Sequence, residues 1–277
     1  MKYGCCLNMV AGKPDKTGAE WLPAAKRSGF DYVELPLAEM MALSASDYEQ
    51  LRSMLQQSSI SCQVCNNFFP KTLRLTGPNA ATAEAVRYAH AALTRAAELG
   101  VSVVVFGSGG AKQVPDGFSL GSGYEQVAEL LRQLAPIAQE KGITIAIEPL
   151  RKAECNLINT FREGCHLAAD VSSPSVRVLI DFYHMTIEQE SPNVLLELGP
   201  QYLAHVHFAN PNGRVYPLHA DEARYQPFMQ ALQQIGYDGR ISCEAYTNHF
   251  AAAAPPALNL LRSLSQQGHE KLDSIPL

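Results

Sequence analysis

No stretch of this chain approaches the roughly 20 consecutive apolar residues that a membrane-spanning helix requires, so a helical anchor is excluded from the reading. The opening MKYGCCLNMV has too short an apolar run before Gly12, Lys13 and Pro14 to serve as a secretory signal. The expected location is cytoplasmic. Clusters of Lys and Arg are also missing, and the formal charge is −5. Nucleic-acid affinity rests on clustered positive charge, so a phosphate-backbone partner is not expected. No Pro/Ser-rich or charge-dense stretch offers a linker, and 47% hydrophobic residues over 277 positions can bury one large core. A single domain over 1–277 is the simplest fit. The cysteines lack regular loop spacing. There are seven, an odd number, mostly inside apolar segments, which reads as buried thiols in a reducing compartment. Cys62 and Cys65 form C-x-x-C within ISCQVCNN. Strict alternation along a strand would send their side chains to opposite faces, so neither a redox pair nor a zinc site is expected there.

What the chain does have is a repeated alternation of short β-branched runs with amphipathic stretches. Eight strand-then-helix units can be traced, with strands expected at Lys2 to Met9, Tyr32 to Leu35, Ser61 to Asn66, Ser102 to Gly107, Ile143 to Glu148, Val176 to Asp181, Leu203 to Phe208 and Arg240 to Glu244. Apolar residues recur at three and four between Ala80 and Leu99 and between Tyr124 and Lys141. Gly29, Gly100, Gly142 and Gly236 stand where helix C-caps belong. The sequence AAAAPP at Ala251 to Pro256 reads as a turn entering a final helix. Eight such units predict an α/β protein, a (β/α)8 TIM barrel. A doubly wound open sheet is the alternative, but no G-x-G-x-x-G follows the first strand. GSGGAK, Gly107 to Lys112, follows the fourth strand and offers either a phosphate cradle, with Lys112 as the nearby cation, or a flexible loop.

Four consecutive strands near the C-terminal end close on an acid or an imidazole: Glu148 in ITIAIEP, Asp181 in VRVLIDFYH, His207 in LAHVHFAN and Glu244 in RISCEAY. In each run the bulky residues share the opposite parity, such as Ile143, Ile145 and Ile147 against Glu148. The bulky side chains would then meet the outer helices while the four polar ones point inward at one rim, where such barrels place their active sites. A lone acid at a strand end is ordinarily a helix cap. Four on successive strands with one parity suit a divalent metal site instead. Three carboxylates and one imidazole without thiolate suit Mn²⁺, Mg²⁺ or Co²⁺ better than structural zinc, although a zinc ion is admissible. Glu148 and Glu244, from the outer strands of the set, could flank a sugar-sized ligand and move a proton beside a carbonyl, with the ion stabilising the cis-enediolate. Two bases on opposite faces would give epimerisation, and one base serving adjacent carbons would give aldose–ketose isomerisation. Asn8, Glu34 and Asn66 end other strands on the same rim and are either further pocket candidates or residues with a structural hydrogen-bonding role. His205, about 6.6 Å deeper by strand rise, reads as a core or supporting histidine.

These residues carry a resemblance to a known family. The runs EPLRKAE (Glu148 to Glu154), IDFYHM (Ile180 to Met185), HVHF (His205 to Phe208), IGYDG (Ile235 to Gly239) and CEAY (Cys243 to Tyr246) resemble those of the sugar isomerase and epimerase barrels related to xylose isomerase. Within that superfamily they are most similar to the D-tagatose 3-epimerase and D-psicose 3-epimerase group, and KRSGFDYVELPLAEM extends the likeness to the second unit. The resemblance implies metal ligands at Glu148, Asp181, His207 and Glu244, catalytic carboxylates at Glu148 and Glu244, and substrate contacts at Glu154 and His184. The arginine expected six residues after the ligand histidine is displaced by one. Gly213 holds that place and Arg214 follows, so Arg214 is a shifted substrate or phosphate contact and the loop 210–226 is not a guide to substrate identity.

The function expected is a metal-dependent sugar or sugar-phosphate isomerase or epimerase. An inosose-type dehydratase, using the same site to expel a β-hydroxyl, is the second reading. An abasic-site endonuclease-like phosphodiesterase would need more metal ligands and a basic face. A sugar-binding barrel without chemistry would lack one of the two glutamates. A homo-oligomer is compatible with the chain, and the polar stretch SLSQQGHEKLDSIPL reads as a tail or part of an interface.

Overall fold

The computed structural model describes residues 1–266, and Gln267 to Leu277 of the polar C-terminal stretch lie outside the described residues. All eight β-branched runs form strands: β1 Lys2–Cys6, β2 Tyr32–Pro36, β3 Ser61–Asn66, β4 Val103–Phe106, β5 Thr144–Ile147, β6 Val176–Asp181, β7 Leu203–Phe208 and β8 Arg240–Cys243. Each pairs in parallel with the next and β1 pairs with β8, closing a barrel in sequence order. The (β/α)8 expectation holds, because strands this apolar need cover on their outer face and each crossover supplies it.

Two apolar layers divide by strand parity. Ile145, Ile147, Val176, Val178, Ile180, Val206, Phe208 and Ile241 face the helices in the outer core, and Tyr32, Val64, Val103, Val105, Ala146 and Leu179 fill the barrel interior. Tyr32 fits inside because Gly4 lies beneath it, where a Cβ would come within 2.3 Å of the Tyr32 ring. The helices Thr82–Glu98 and Leu120–Glu140 match the apolar periodicity. Gly100 and Gly142 follow them at φ +78° and +65°, the left-handed turn that returns the chain to the next strand.

Three local expectations are corrected. β1 ends at Cys6, and Leu7–Val10 turns into a 3-10 helix carrying Asn8. Ala251 to Pro256 lie inside the helix Phe250–Gln266 rather than in a turn before it. Alanine is the best helix former, and the alanine run carries the helix through Pro255 and Pro256 even though each lacks a donor and crowds the preceding turn. The third correction concerns the C-x-x-C pair. The register of β2 and β3 shifts between Val33 and Glu34, whose partners are Cys62 and Val64, so Gln63 is an extra residue in β3. Such a bulge resets the alternation. Cys62 and Cys65 accordingly both join the outer core, and the Cys65 thiol is raised by burial and by its hydrogen bond with Cys62. All seven cysteines are free and buried, as expected.

Candidate active site

The C-terminal ends of β5 to β8 deliver the four predicted side chains to one place. Glu148 and Glu244 fall one residue beyond β5 and β8, and their backbone N–H groups donate to Phe106 O (3.2 Å) and Phe208 O (3.1 Å), so the sheet still holds them. Asp181 is the last residue of β6 and also caps the helix Phe182–Ile187, its Oδ1 accepting from Tyr183 N at 2.7 Å. Cap and site role thus coexist, because capping uses only one carboxylate oxygen. The Oδ2 atom is left for Arg214 Nη2 at 3.3 Å and His184 Nε2 at 3.5 Å.

His207 is the hub. Its Nδ1 lies 3.0 Å from Glu148 Oε1 and 3.0 Å from Glu244 Oε2. Ligand atoms of Glu148, Asp181, His207 and Glu244 all lie within 4.8 Å of one another, and all four residues are buried. Burying three carboxylates together demands positive charge nearby. Protein groups supply part of it through Arg214, which pairs with Glu244, and through His207 while both its nitrogens are protonated, a share that a bound cation would take over. A hard divalent cation fits this donor set, with three oxygen-bearing acids and one imidazole converging from neighbouring strands.

The electrostatics separate the two glutamates. Burial and the adjacent Glu244 charge raise Glu148. Burial would also raise Glu244, but the His207 and Arg214 charges override it and hold the carboxyl well below the usual range. Burial lifts Asp181 to about 6, with Arg214 opposing. His184 is lowered to about 4 by burial and is therefore a neutral ring near neutral pH. His207 goes the other way: the Glu244 and Glu34 charges outweigh burial and raise it well above 6.5. Opposed shifts among packed titratable groups mark a site suited to proton transfer.

Beside this cluster opens a cleft of about 930 Å³ lined by Glu148, Glu154, His184, Arg214 and Glu244, while Asp181 and His207 are buried behind that lining. Glu154 accepts from Arg151 Nε at 2.7 Å and sits 3.9 Å from Arg214 Nη1. His184 accepts from Arg151 N through Nδ1 (3.3 Å), and its buried Nε2 has no hydrogen-bond partner, so it is available to a bound hydroxyl. Every predicted site residue is brought to this one locus.

Other expectations fail here. Lys112 is fully buried, its Nζ donating to Glu148 O at 3.0 Å over the Phe106 ring, so it braces β5 and cannot meet a substrate phosphate. The glycine run is not a loose loop, and Gly107 to Ala111 line the cleft. Gly109–Lys112 is a short helix, and Gly107 is where Glu148 needs space, since a Cβ there would lie 2.2 Å from Glu148 Oε2. Glu34 does not reach the cleft either, because β2 runs on to Pro36 and leaves Glu34 fully buried below the rim. Asn66 is buried and donates to Asn8 Oδ1 (3.0 Å) and Glu244 Oε1 (3.3 Å). Asn8 itself lines the cleft. Tyr246, unremarked in the sequence, lines the cleft at 51% exposure.

Comparison with known proteins agrees with this fold. Residues 22–265 match the family described as Xylose isomerase-like TIM barrel. The ketose 3-epimerase of Arthrobacter globiformis is 24% identical over 255 residues, covering 91% of this chain and 86% of that protein. The D-psicose 3-epimerase of Ruminiclostridium cellulolyticum is 28% identical over 149 residues, 54% of this chain, and the match spans only half of its length. A crystal structure of D-psicose 3-epimerase in the presence of D-fructose superposes with a TM-score of 0.83 at 20% identity, covering 96% of this chain and 99% of that one. Among the described residues no helix is long and apolar enough to cross a membrane.

Proposed function

The chain belongs to the xylose isomerase-like TIM barrel family, and from that premise we propose that it is a divalent-metal-dependent epimerase or isomerase of a sugar or sugar phosphate. The observation that carries the reading is the convergence of Glu148, Asp181, His207 and Glu244, all buried, with ligand atoms within 4.8 Å of one another, next to an open cleft that Glu148 and Glu244 line. A divalent ion held by these four, Mn²⁺, Mg²⁺ or Co²⁺ by donor chemistry with zinc admissible, would supply Lewis acidity to a carbonyl and its neighbouring hydroxyl.

The protein's own groups would do the rest. Glu148 enters from β5 and Glu244 from β8, so the two carboxylates approach a molecule in the cleft from different sides. One takes the proton from the carbon beside the carbonyl, and the other returns a proton to the opposite face, inverting that carbon with no net change in composition. Arg214, paired with Glu244 and 3.3 Å from Asp181, would offer a guanidinium to negative charge developing on a substrate in the cleft. His184 and Glu154, on the same wall, would orient hydroxyls. The ketose 3-epimerases among the relatives favour inversion over aldose–ketose exchange.

The test is incubation of the full chain with a panel of ketoses and their phosphates in deuterated water with added Mn²⁺, Mg²⁺ or Co²⁺. We expect an epimeric product carrying solvent deuterium on the inverted carbon at unchanged composition otherwise. Loss of water from the substrate would instead identify a dehydratase, and no exchange with any sugar or metal would overturn the proposal.

A further inference from the structure

We infer that Glu34 is a positioning residue for the metal-site histidine, its carboxylate bridging His207 and His205 so that the His207 Nδ1 lone pair faces the cation site. The inference rests on the proposal that His207 is a metal ligand. It starts from an oddity of β2, in which Tyr32–Pro36 is buried at every position and yet carries a glutamate at its centre. A carboxylate stripped of water in this way is tolerated only with strong partners. Glu34 has two. Its Oε1 lies 3.0 Å from His207 Nε2, and its Oε2 lies 3.1 Å from His205 Nε2.

An ionised carboxylate only accepts hydrogen bonds, so each imidazole must present N–H at Nε2. Both carboxylate oxygens of Glu34 are taken up by these two imidazoles, so the buried group has its hydrogen-bond partners in place. With the proton of His207 placed on Nε2, the nitrogen left to bind a cation is Nδ1. That atom is the one 3.0 Å from both Glu148 and Glu244, on the side where the other ligands converge. A partner behind a ligating histidine fixes its tautomer and ring orientation and raises its basicity.

The bridge is itself held from below. His205 Nε2 also lies 3.3 Å from Ser242 Oγ, which is 2.9 Å from the Tyr32 hydroxyl, and all of these groups are buried. The His205 and His207 rings stand nearly perpendicular, at 85° with centroids 5.1 Å apart, so one carboxylate can meet both in their own planes. Cys6 lies beside them, its sulfur within 4.8 Å of ligand atoms of Glu34 and His207, and all three residues are buried.

The experiment compares Mn²⁺ affinity of the full chain and of Glu34→Gln by calorimetric titration, alongside ¹⁵N spectra of histidine-labelled, Zn²⁺-loaded protein, which report which His207 nitrogen carries the proton. The glutamine amide can donate to Nε2 and so drive the proton onto Nδ1, where it blocks coordination. Mn²⁺ affinity is expected to fall about 10- to 100-fold in a folded Glu34→Gln protein. Glu34→Asp, which keeps the charge but withdraws it by one methylene, is expected to lose affinity as well. In the unmodified protein the His207 signal is expected to show Nε2–H, a readout that packing alone would not set and that requires no variant to fold. Unchanged Mn²⁺ affinity in Glu34→Gln, or a proton on Nδ1 with metal on Nε2 in the unmodified protein, overturns this inference alone. Absence of metal binding by the unmodified protein overturns the metal reading, and this inference with it.

Discussion

Glu244→Gln is expected to leave a folded barrel whose epimerase or isomerase turnover falls by at least the factor of about 10² to 10⁴ that one positioned acid or base contributes. The substitution removes a charge that stands in three relationships at once. Glu244 Oε2 lies 3.0 Å from His207 Nδ1, the same carboxylate pairs with Arg214, and Oε1 accepts from Asn66 at 3.3 Å. A glutamine keeps the volume and can still accept from Asn66. It can neither take a proton nor balance Arg214, so the loss is expected chiefly in turnover rather than in far-UV circular dichroism. Near-normal turnover in this variant would remove the two-carboxylate mechanism.

Phe208→Ala is expected to produce the largest loss of stability among single substitutions near the site. Phe208 is fully buried, stacks on Phe182 at 5.1 Å, and packs on Tyr225 at 5.1 Å and Phe228 at 6.1 Å. Truncating such a ring costs about 3–5 kcal/mol through lost burial and the cavity left behind. At about 2–4 °C per kcal/mol for chains of this size class, the melting midpoint should drop by on the order of 10 °C. The same ring anchors the site from outside, since Phe208 follows His207 in β7 and its carbonyl accepts from Glu244 N at 3.1 Å. A melting midpoint within about 2 °C of the unmodified protein would mean that this aromatic cluster is not the support described here.

Much of this arrangement was legible in the chain because two periodicities coincide. Strand parity separated Ile145 and Ile147 from Glu148, and Val176, Val178 and Ile180 from Asp181, and the outer core contains those same bulky residues. Any pattern that keeps to period two is readable without knowing the neighbours. What escaped were departures that only a neighbouring strand reveals. The extra residue at Gln63 is set by pairing with β2, and it moves Cys62 to the face of Cys65. Glu34 looked like a rim residue because a strand was expected to stop at Leu35. It is instead one layer down, bonded to histidines 171 and 173 positions away, a relation that sequence cannot display without the barrel's register. Lys112 misled in a similar way, since a lysine after a glycine run suggests phosphate while its real partner is the carbonyl of Glu148 across the β4–β5 boundary.

The central assertion is that Glu148, Asp181, His207 and Glu244 together grip one cation. Titrating the purified full chain with Mn²⁺, alongside Asp181→Ala and His207→Ala proteins shown to be folded, tests it most directly. One ion per chain bound by the unmodified protein, with affinity lowered more than about tenfold in each variant, is the predicted result. No saturable binding, or binding equally tight in both variants, would contradict it.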